Sequence, residues 1–335
     1  MQSKNVYFHI RLLGMLSRLE KTVDKIRKAS TIEEAMQALR EMKITESEEI
    51  PSNIDVELHN SILKILHIVK RGSIGSPTEL VIKANLSTYD ALNIVYLYEC
   101  KKRNIPSSSI RGALYNGLIP PSKMLEKYAK SDDAETMLYT MLEMNPMIMS
   151  PSSLLKIKGS LIPTSLLYDI MLRDINLNLL KECKKASGVK PSEMLSLESI
   201  IALEYSIYLI NVTGRIISEN GDRSVIDILY IPKISLVSKK SLLKAIEIGD
   251  LYDAVSSILS ASAALESLLY EHLKKAIEER SVPKLLKLFN EGLRHVYRNA
   301  IIEHPFTLPS IYSIIKLSKI AVDRICEELK SRLSR

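Results

Sequence analysis

An all-α fold is predicted for this chain from three observations. Apolar residues recur every three or four positions over long stretches, strand signals are scarce, and one stretch of pattern returns 118 residues after its first appearance. A spacing of three to four places apolar side chains on one face of a helix. Strands require alternation bounded by turn residues, and β-branched residues here rarely alternate with polar ones. The dipeptide Asn116-Gly117 joins no two such runs; it lies ahead of a helical segment.

Taken in order, Val6, Ile10, Leu13, Leu16, Leu19, Val23 and Ile26 form the stripe of a first helix. Ser30-Thr31-Ile32-Glu33-Glu34 places a hydroxyl before acids, which is a helix start, and this second helix runs to about Met42. A polar loop over 43–53 precedes a third helix from Ile54 to Val69, which Gly72, Gly75 and Pro77 end. A long helix then runs from Thr78 to Arg103 with a kink near Asn85-Leu86-Ser87. Short helices are expected at 106–115, 121–130 and 131–144, separated by Pro106, Pro120-Pro121 and Pro146. The remaining helices fall at 151–158, 162–185, 191–219, 222–229, 238–247, 250–260, 261–280, 282–303 and 308–333.

The returning pattern aligns Asn93 with Asn211, and Leu125 and Leu243 each follow their Asn by 32 residues. Pro120-Pro121-Ser122-Lys123-Met124-Leu125 and Val237-Ser238-Lys239-Lys240-Ser241-Leu242-Leu243 share a loop-then-helix pattern, and Asp133-Ala134 and Asp253-Ala254 fall in the helix after it. Long-range self-similarity predicts stacked helical modules whose work depends on shape. Breaks at Pro120-Pro121 and Ile231-Pro232 suggest three modules, 1–116, 117–230 and 231–335.

The chain has 335 residues, 46% of them apolar, with no Trp and three Phe. Cys100, Cys183 and Cys326 are far apart and odd in number, so they read as buried thiols in a reducing compartment. A charged amphipathic helix follows Met1 directly, unlike a signal peptide. Ala254–Leu265 and His304–Ile315 are among the longest uncharged stretches, at 12 residues each, short of the roughly 20 a span needs. Net charge is +7, and residues 281–335 carry ten Lys or Arg against five acids. Such an excess suits nucleic acid, an anionic membrane surface or an acidic partner, and equally a solvated helix face.

No phosphate-cradling Gly-X-X-X-X-Gly-Lys-Ser/Thr loop and no Gly-X-Ser-X-Gly elbow is present. Gly72-Ser73-Ile74-Gly75 has the form of a Gly-X-X-Gly RNA-binding loop but lacks its flanking strands, so it reads as a connector. His59 and His67 lie eight apart and could share a helix face, but Glu57 and Lys64 are unconvincing further ligands, and no Cys-X-X-Cys accompanies them. Glu33-Glu34, Glu48-Glu49, Asp132-Asp133, Glu278-Glu279 and Glu327-Glu328 are adjacent pairs, which point about 100° apart on a helix and cannot converge as a catalytic dyad. Met137, Met141, Met144, Met147 and Met149 read as core. No catalytic, cofactor or metal site is expected.

Tyr89-Asp90-Ala91-Leu92-Asn93-Ile94 followed by Leu114, Gly117 and Pro120 resembles the "YDxxNI … L … G … P" pattern of the C subunits of archaeal A-type and bacterial V-type ATP synthases, relatives of the d subunits of vacuolar ATPases. The Tyr7-to-Leu19 helix followed by Ser30-Thr31-Ile32-Glu33-Glu34-Ala35 is similar to that family's amino-terminal segment, and Tyr312, Lys316, Arg324 and Ile325 match its last helix. Lys319 and Val322 depart from the pattern there, where Glu and Asn are usual. The resemblance implies three pseudo-repeated helical bundles arranged as a funnel or socket. It implies a non-catalytic protein on the cytoplasmic face of the membrane, joining the D and F stalk subunits to the membrane proteolipid ring, with no cofactor and no small-molecule substrate. Asn93, Asn211, Arg215, Lys316 and Arg324 are the candidate partner contacts. The alternative is a basic α-helical nucleic-acid-binding scaffold, which the interleaving of acids with basic residues disfavours.

Overall fold

The structure is a computed structural model and describes residues 2–41, 43–45, 53–149, 164–261, 272–279 and 281–333. Every regular element among them is helical. The helix expected at 151–158 and the first half of that expected at 261–280 lie outside the described residues, as does Glu48-Glu49.

The chain forms two compact units, one of residues 1–189 with 306–335, the other of 190–305. The first unit holds α1 (Gln2–Lys28), α2 (Ile32–Glu41), α3 (Ile54–Gly72), α4 (Pro77–Lys102), α5 (Pro121–Lys130), α6 (Ala134–Glu143) and α7 (Thr164–Lys185). The second holds α8 (Pro191–Glu219), α9 (Ser224–Leu229), α10 (Lys239–Ile248), α11 (Tyr252–Ala261) and α12 (Val282–Glu303), and α13 (Leu308–Leu333) returns to the first. These units divide the chain at 189/190 and 305/306, whereas the sequence-based modules divide it at 116/117 and 230/231.

Local chemistry sets the helix ends. Thr31 Oγ1 accepts the Glu34 amide at the head of α2 while the Glu34 carboxylate accepts Ser30 N, so two end donors are satisfied together. Asp133 and Ser238 cap α6 and α10 through Thr136 N and Ser241 N. Proline opens α4, α5 and α8, where its missing N–H costs nothing. Asn220 and Gly249 end α8 and α10 in the left-handed region. The segment expected as a helix at 106–115 forms two 3-10 turns, Ser107–Ser109 and Arg111–Ala113, because Pro106 and Gly112 interrupt it. The expected kink in α4 does not interrupt the helix. Asn85, Ser87 and Thr88 bond back to the carbonyls of Val81, Lys83 and Asn85, which satisfies them inside the core.

The core of the first unit is built on α13 and α4. α13 packs on α1, α2, α3 and α4, and Ile311, Ile314, Val322, Ile325 and Leu329 are fully buried along it. α4 packs on α3, α6 and α7 and buries Val81, Ile82, Leu86, Ile94 and Leu97. Each such side chain contributes about 1.5–3 kcal/mol through its burial. Met137 and Met141 lie fully inside and Met149 is buried, as core methionines should be, whereas Met144 and Met147 are half-buried. All three cysteines are buried and free, and burial pushes the Cys183 thiol up to about 12.

In the second unit, α8 is the axis against which α9, α10, α11 and α12 pack. Among the described residues α8 alone is long and apolar enough to cross a membrane, but most of its apolar window is buried in this unit. Shifted by 118 residues, α5 coincides with α10, α6 with α11 and α7 with α12, and α4 ends one residue from the end of α8.

Candidate functional site

The most polar part of the interior lies on the segment singled out by sequence, Tyr89 to Ile94. Asp90 is fully buried on α4 and accepts from Ile119 N at 3.1 and 3.2 Å. Asn145 Nδ2 donates to Asp90 Oδ2 and to Ser87 Oγ, both at 2.9 Å. One turn on, Asn93 grips the backbone of Tyr115 with both ends of its amide: Nδ2 donates to the carbonyl at 2.8 Å and Oδ1 accepts the N–H at 2.9 Å. Gly117 passes so close to α4 that a Cβ there would stand 2.0 Å from Asp90 Oδ1. The 114–119 loop is thus clamped on α4 by buried side chains that read backbone groups. Burial pushes the Asp90 carboxyl up to about 7, against the pull of the Ile119, Asn145 and Leu118 donors.

The same loop is held from α3. His67 Nε2 donates to the Asn116 carbonyl at 3.0 Å, and Asn60 Oδ1 accepts Asn116 N at 2.7 Å. His59 Nδ1 meets the Tyr89 hydroxyl at 3.0 Å and its Nε2 donates to Asp323 of α13 at 3.1 Å. Burial, and then the Asp323 charge, hold the Tyr89 hydroxyl well above its ordinary pKa. The rings of His59, Tyr89 and Tyr115 pack mutually with centroids 5.4–5.8 Å apart. Lys319 lies over the Tyr89 ring at 5.6 Å, and Lys330 bonds to Asp55 at the start of α3. Both histidines therefore act as ties between elements.

The sequence-named residues fall in three places. Asn93 is 1% exposed and engaged with Tyr115. Asn211 and Arg215 are half-buried on α8 in the second unit. Lys316 and Arg324 are half-buried on α13, with Lys316 Nζ 4.9 Å from the Tyr312 ring. Asn93 and the α13 pair belong to the first unit, yet only Asn93 joins the clamp.

The second unit holds its corresponding loop with different chemistry. Ser206 Oγ accepts Leu236 N at 2.8 Å, and the buried Tyr205 hydroxyl donates to the Leu229 carbonyl. Tyr205 and Tyr208 stack with centroids 5.9 Å apart.

No group of three or more potential metal ligands occurs among the described residues. A cavity of about 760 Å³ in the first unit is lined in part by Arg18, Glu57, Asn60, Lys64 and Asn116. Its Asn60 and Glu57 are already engaged with Asn116 and Thr45.

Sequence reading passed over Asn145, Gly117's steric role and the charge of α1. The last was legible. α1 carries Lys4, Arg11, Arg18, Lys21, Lys25, Arg27 and Lys28 against Glu20 and Asp24. Asn145 gave no signal, since only the fold brings it to Asp90.

A search of curated proteins finds no match to this chain. A family model described as ATP synthase (C/AC39) subunit matches residues 17–326, nearly its whole length, and the chain belongs to that family.

Proposed function

We propose that this chain is the non-catalytic central-stalk component of a rotary ATP synthase, seating the D and F stalk subunits and resting on the membrane proteolipid ring from the cytoplasmic side. The observation that carries the reading is the family match over residues 17–326. The clamp around the 114–119 loop agrees with it, because a part that passes torque must not deform. Buried hydrogen bonds between loop and helix, in a close-packed interior, resist such deformation. The 118-residue register of α4–α7 and α8–α12 supports a repeated module, and we extend it to three modules forming a socket.

In this reading Asn93 positions the loop, and Asn211, Arg215, Lys316 and Arg324 are the contact candidates. A torque-bearing joint of this type buries on the order of 2,000 Å² or more, so apolar area holds it and exposed charges, at about 0–1 kcal/mol each, orient it. No nucleic acid, cofactor or small-molecule substrate has a part in it. The test is reconstitution of the full chain with purified D, F and ring. A ternary assembly dependent on this chain supports the proposal. Salt-sensitive DNA binding with no assembly replaces it with the nucleic-acid scaffold.

A further inference from the structure

The first unit exposes seven large apolar side chains among its described residues, and four of them gather toward one end. There the start of α1, the α3–α4 turn and the turn before α13 come together. Phe8 of α1 packs against Gly72 so tightly that a Cβ at that glycine would stand 2.7 Å from its ring. His9 lies 4.8 Å from the Phe306 ring, centroid to centroid, and bonds to Ser310. With Phe8 and His9 turned inward, the opposite face of the same helical turns points out. It carries Tyr7 at 57% exposure and Ile10 at 60%; at the same end Ile74, two residues after the Gly72 that Phe8 touches, is 76% exposed and Phe306, against His9, is 43% exposed.

None of the first unit's described residues covers that face. A Cβ built on Gly14, one turn beyond Ile10, or on Gly75, beside Ile74, meets no atom within 4 Å. An apolar cluster left in water by one end of a folded unit marks a contact with something else.

The charge around it identifies that partner. Arg11 and Arg71 are exposed among the apolar residues, with Arg11 donating to the Tyr7 hydroxyl at 2.9 Å. The acid nearest in sequence to Ile74, Glu79, is turned inward, bonded to Gly75 N at 2.7 Å and paired with Lys83. Guanidinium groups beside projecting isoleucine, phenylalanine and tyrosine match the headgroup–acyl boundary of an anionic bilayer, where the apolar tips enter and the cations meet phosphates.

We propose that this end of the first unit docks on an anionic lipid surface. The proposal goes beyond the coupling role and stands apart from it, because lipid binding is read on the isolated chain without stalk or ring.

The test is co-sedimentation of the full chain with vesicles of phosphatidylcholine alone and of phosphatidylcholine mixed with phosphatidylglycerol. Binding is expected to the mixed vesicles and to be weaker by about tenfold or more on neutral ones. Ile74→Glu and Arg71→Glu should each lower binding to mixed vesicles by about tenfold, while Ile248→Glu, also exposed but in the second unit, should leave it unchanged. Unchanged thermal unfolding in all three keeps the comparison free of folding effects. Equal binding to both vesicle types, or wild-type binding by Ile74→Glu, overturns the proposal. So does loss of assembly with stalk or ring by Ile74→Glu when wild type ignores vesicles, since the patch then belongs to a protein interface.

Discussion

The α4–α7 and α8–α12 regions keep the same register at a spacing of 118 residues, yet they lock their loops by different means. Asp90 and Asn93 of α4 hold 114–119, Asn145 braces Asp90, and Gly117 lets the loop come close, with every one of these residues buried. On α8 two hydroxyls, Tyr205 and Ser206, do the equivalent work at single points. Helix length and placement are therefore separable from the polar chemistry that fixes the connections. The first lock, which leaves several buried groups unpaired if broken, should be much less tolerant of substitution than the second.

The largest contrast should come at Gly117. Gly117→Ala forces a methyl onto Asp90 and should destabilise the chain by about 3 kcal/mol in urea unfolding, whereas Ser235→Ala, at the equivalent position, should cost about 1 kcal/mol or less. Asp90→Ala, which strands the Ile119 amide and Asn145, should cost about 2–3 kcal/mol against about 1 kcal/mol for Ser206→Ala. Asn93→Ala should cost about 2 kcal/mol, and Asn211→Ala, whose side chain makes no hydrogen bond among the described residues, about 0.5 kcal/mol or less. Equal costs across any pair would mean that the two regions are locked alike.

A smaller effect follows from Asp90's carboxyl, raised by burial to about 7 from the ordinary carboxylate range. The native state then holds a proton that the unfolded chain has released, so this group's contribution is full at low pH and is lost as pH rises toward 7. The slope is at most about 1.4 kcal/mol per pH unit. Asp90→Asn should flatten this part of the stability–pH curve, while Ser206→Ala should leave it unchanged. A wild-type slope that survives Asp90→Asn would place the titration elsewhere.

Much of the fold was legible in the sequence because it rests on periodicity and punctuation. The expected spans 121–130, 191–219, 282–303 and 308–333 are those of α5, α8, α12 and α13. Proline and capping residues mark those boundaries locally. The segment 106–115 misled because its position between prolines was read as one helix, whereas three serines and Gly112 leave Ser107–Ala113 only single turns. The site was less legible. Asn93 stood out by pattern, but pattern cannot say that its amide faces inward onto a backbone 22 residues away. His59 and Asp323 meet across 264 residues, a pairing that only the packing of α3 on α13 creates. Charge was counted over 281–335 and not over α1, although α1 holds seven cations against two acids.

Coupling by this chain is tested most directly by assembling it at full length with D, F and the proteolipid ring and recording which pairs co-purify when it is left out. D/F and the ring should associate only through this chain, and truncating α13 should abolish the association. D/F bound to the ring as firmly without the chain as with it would contradict it.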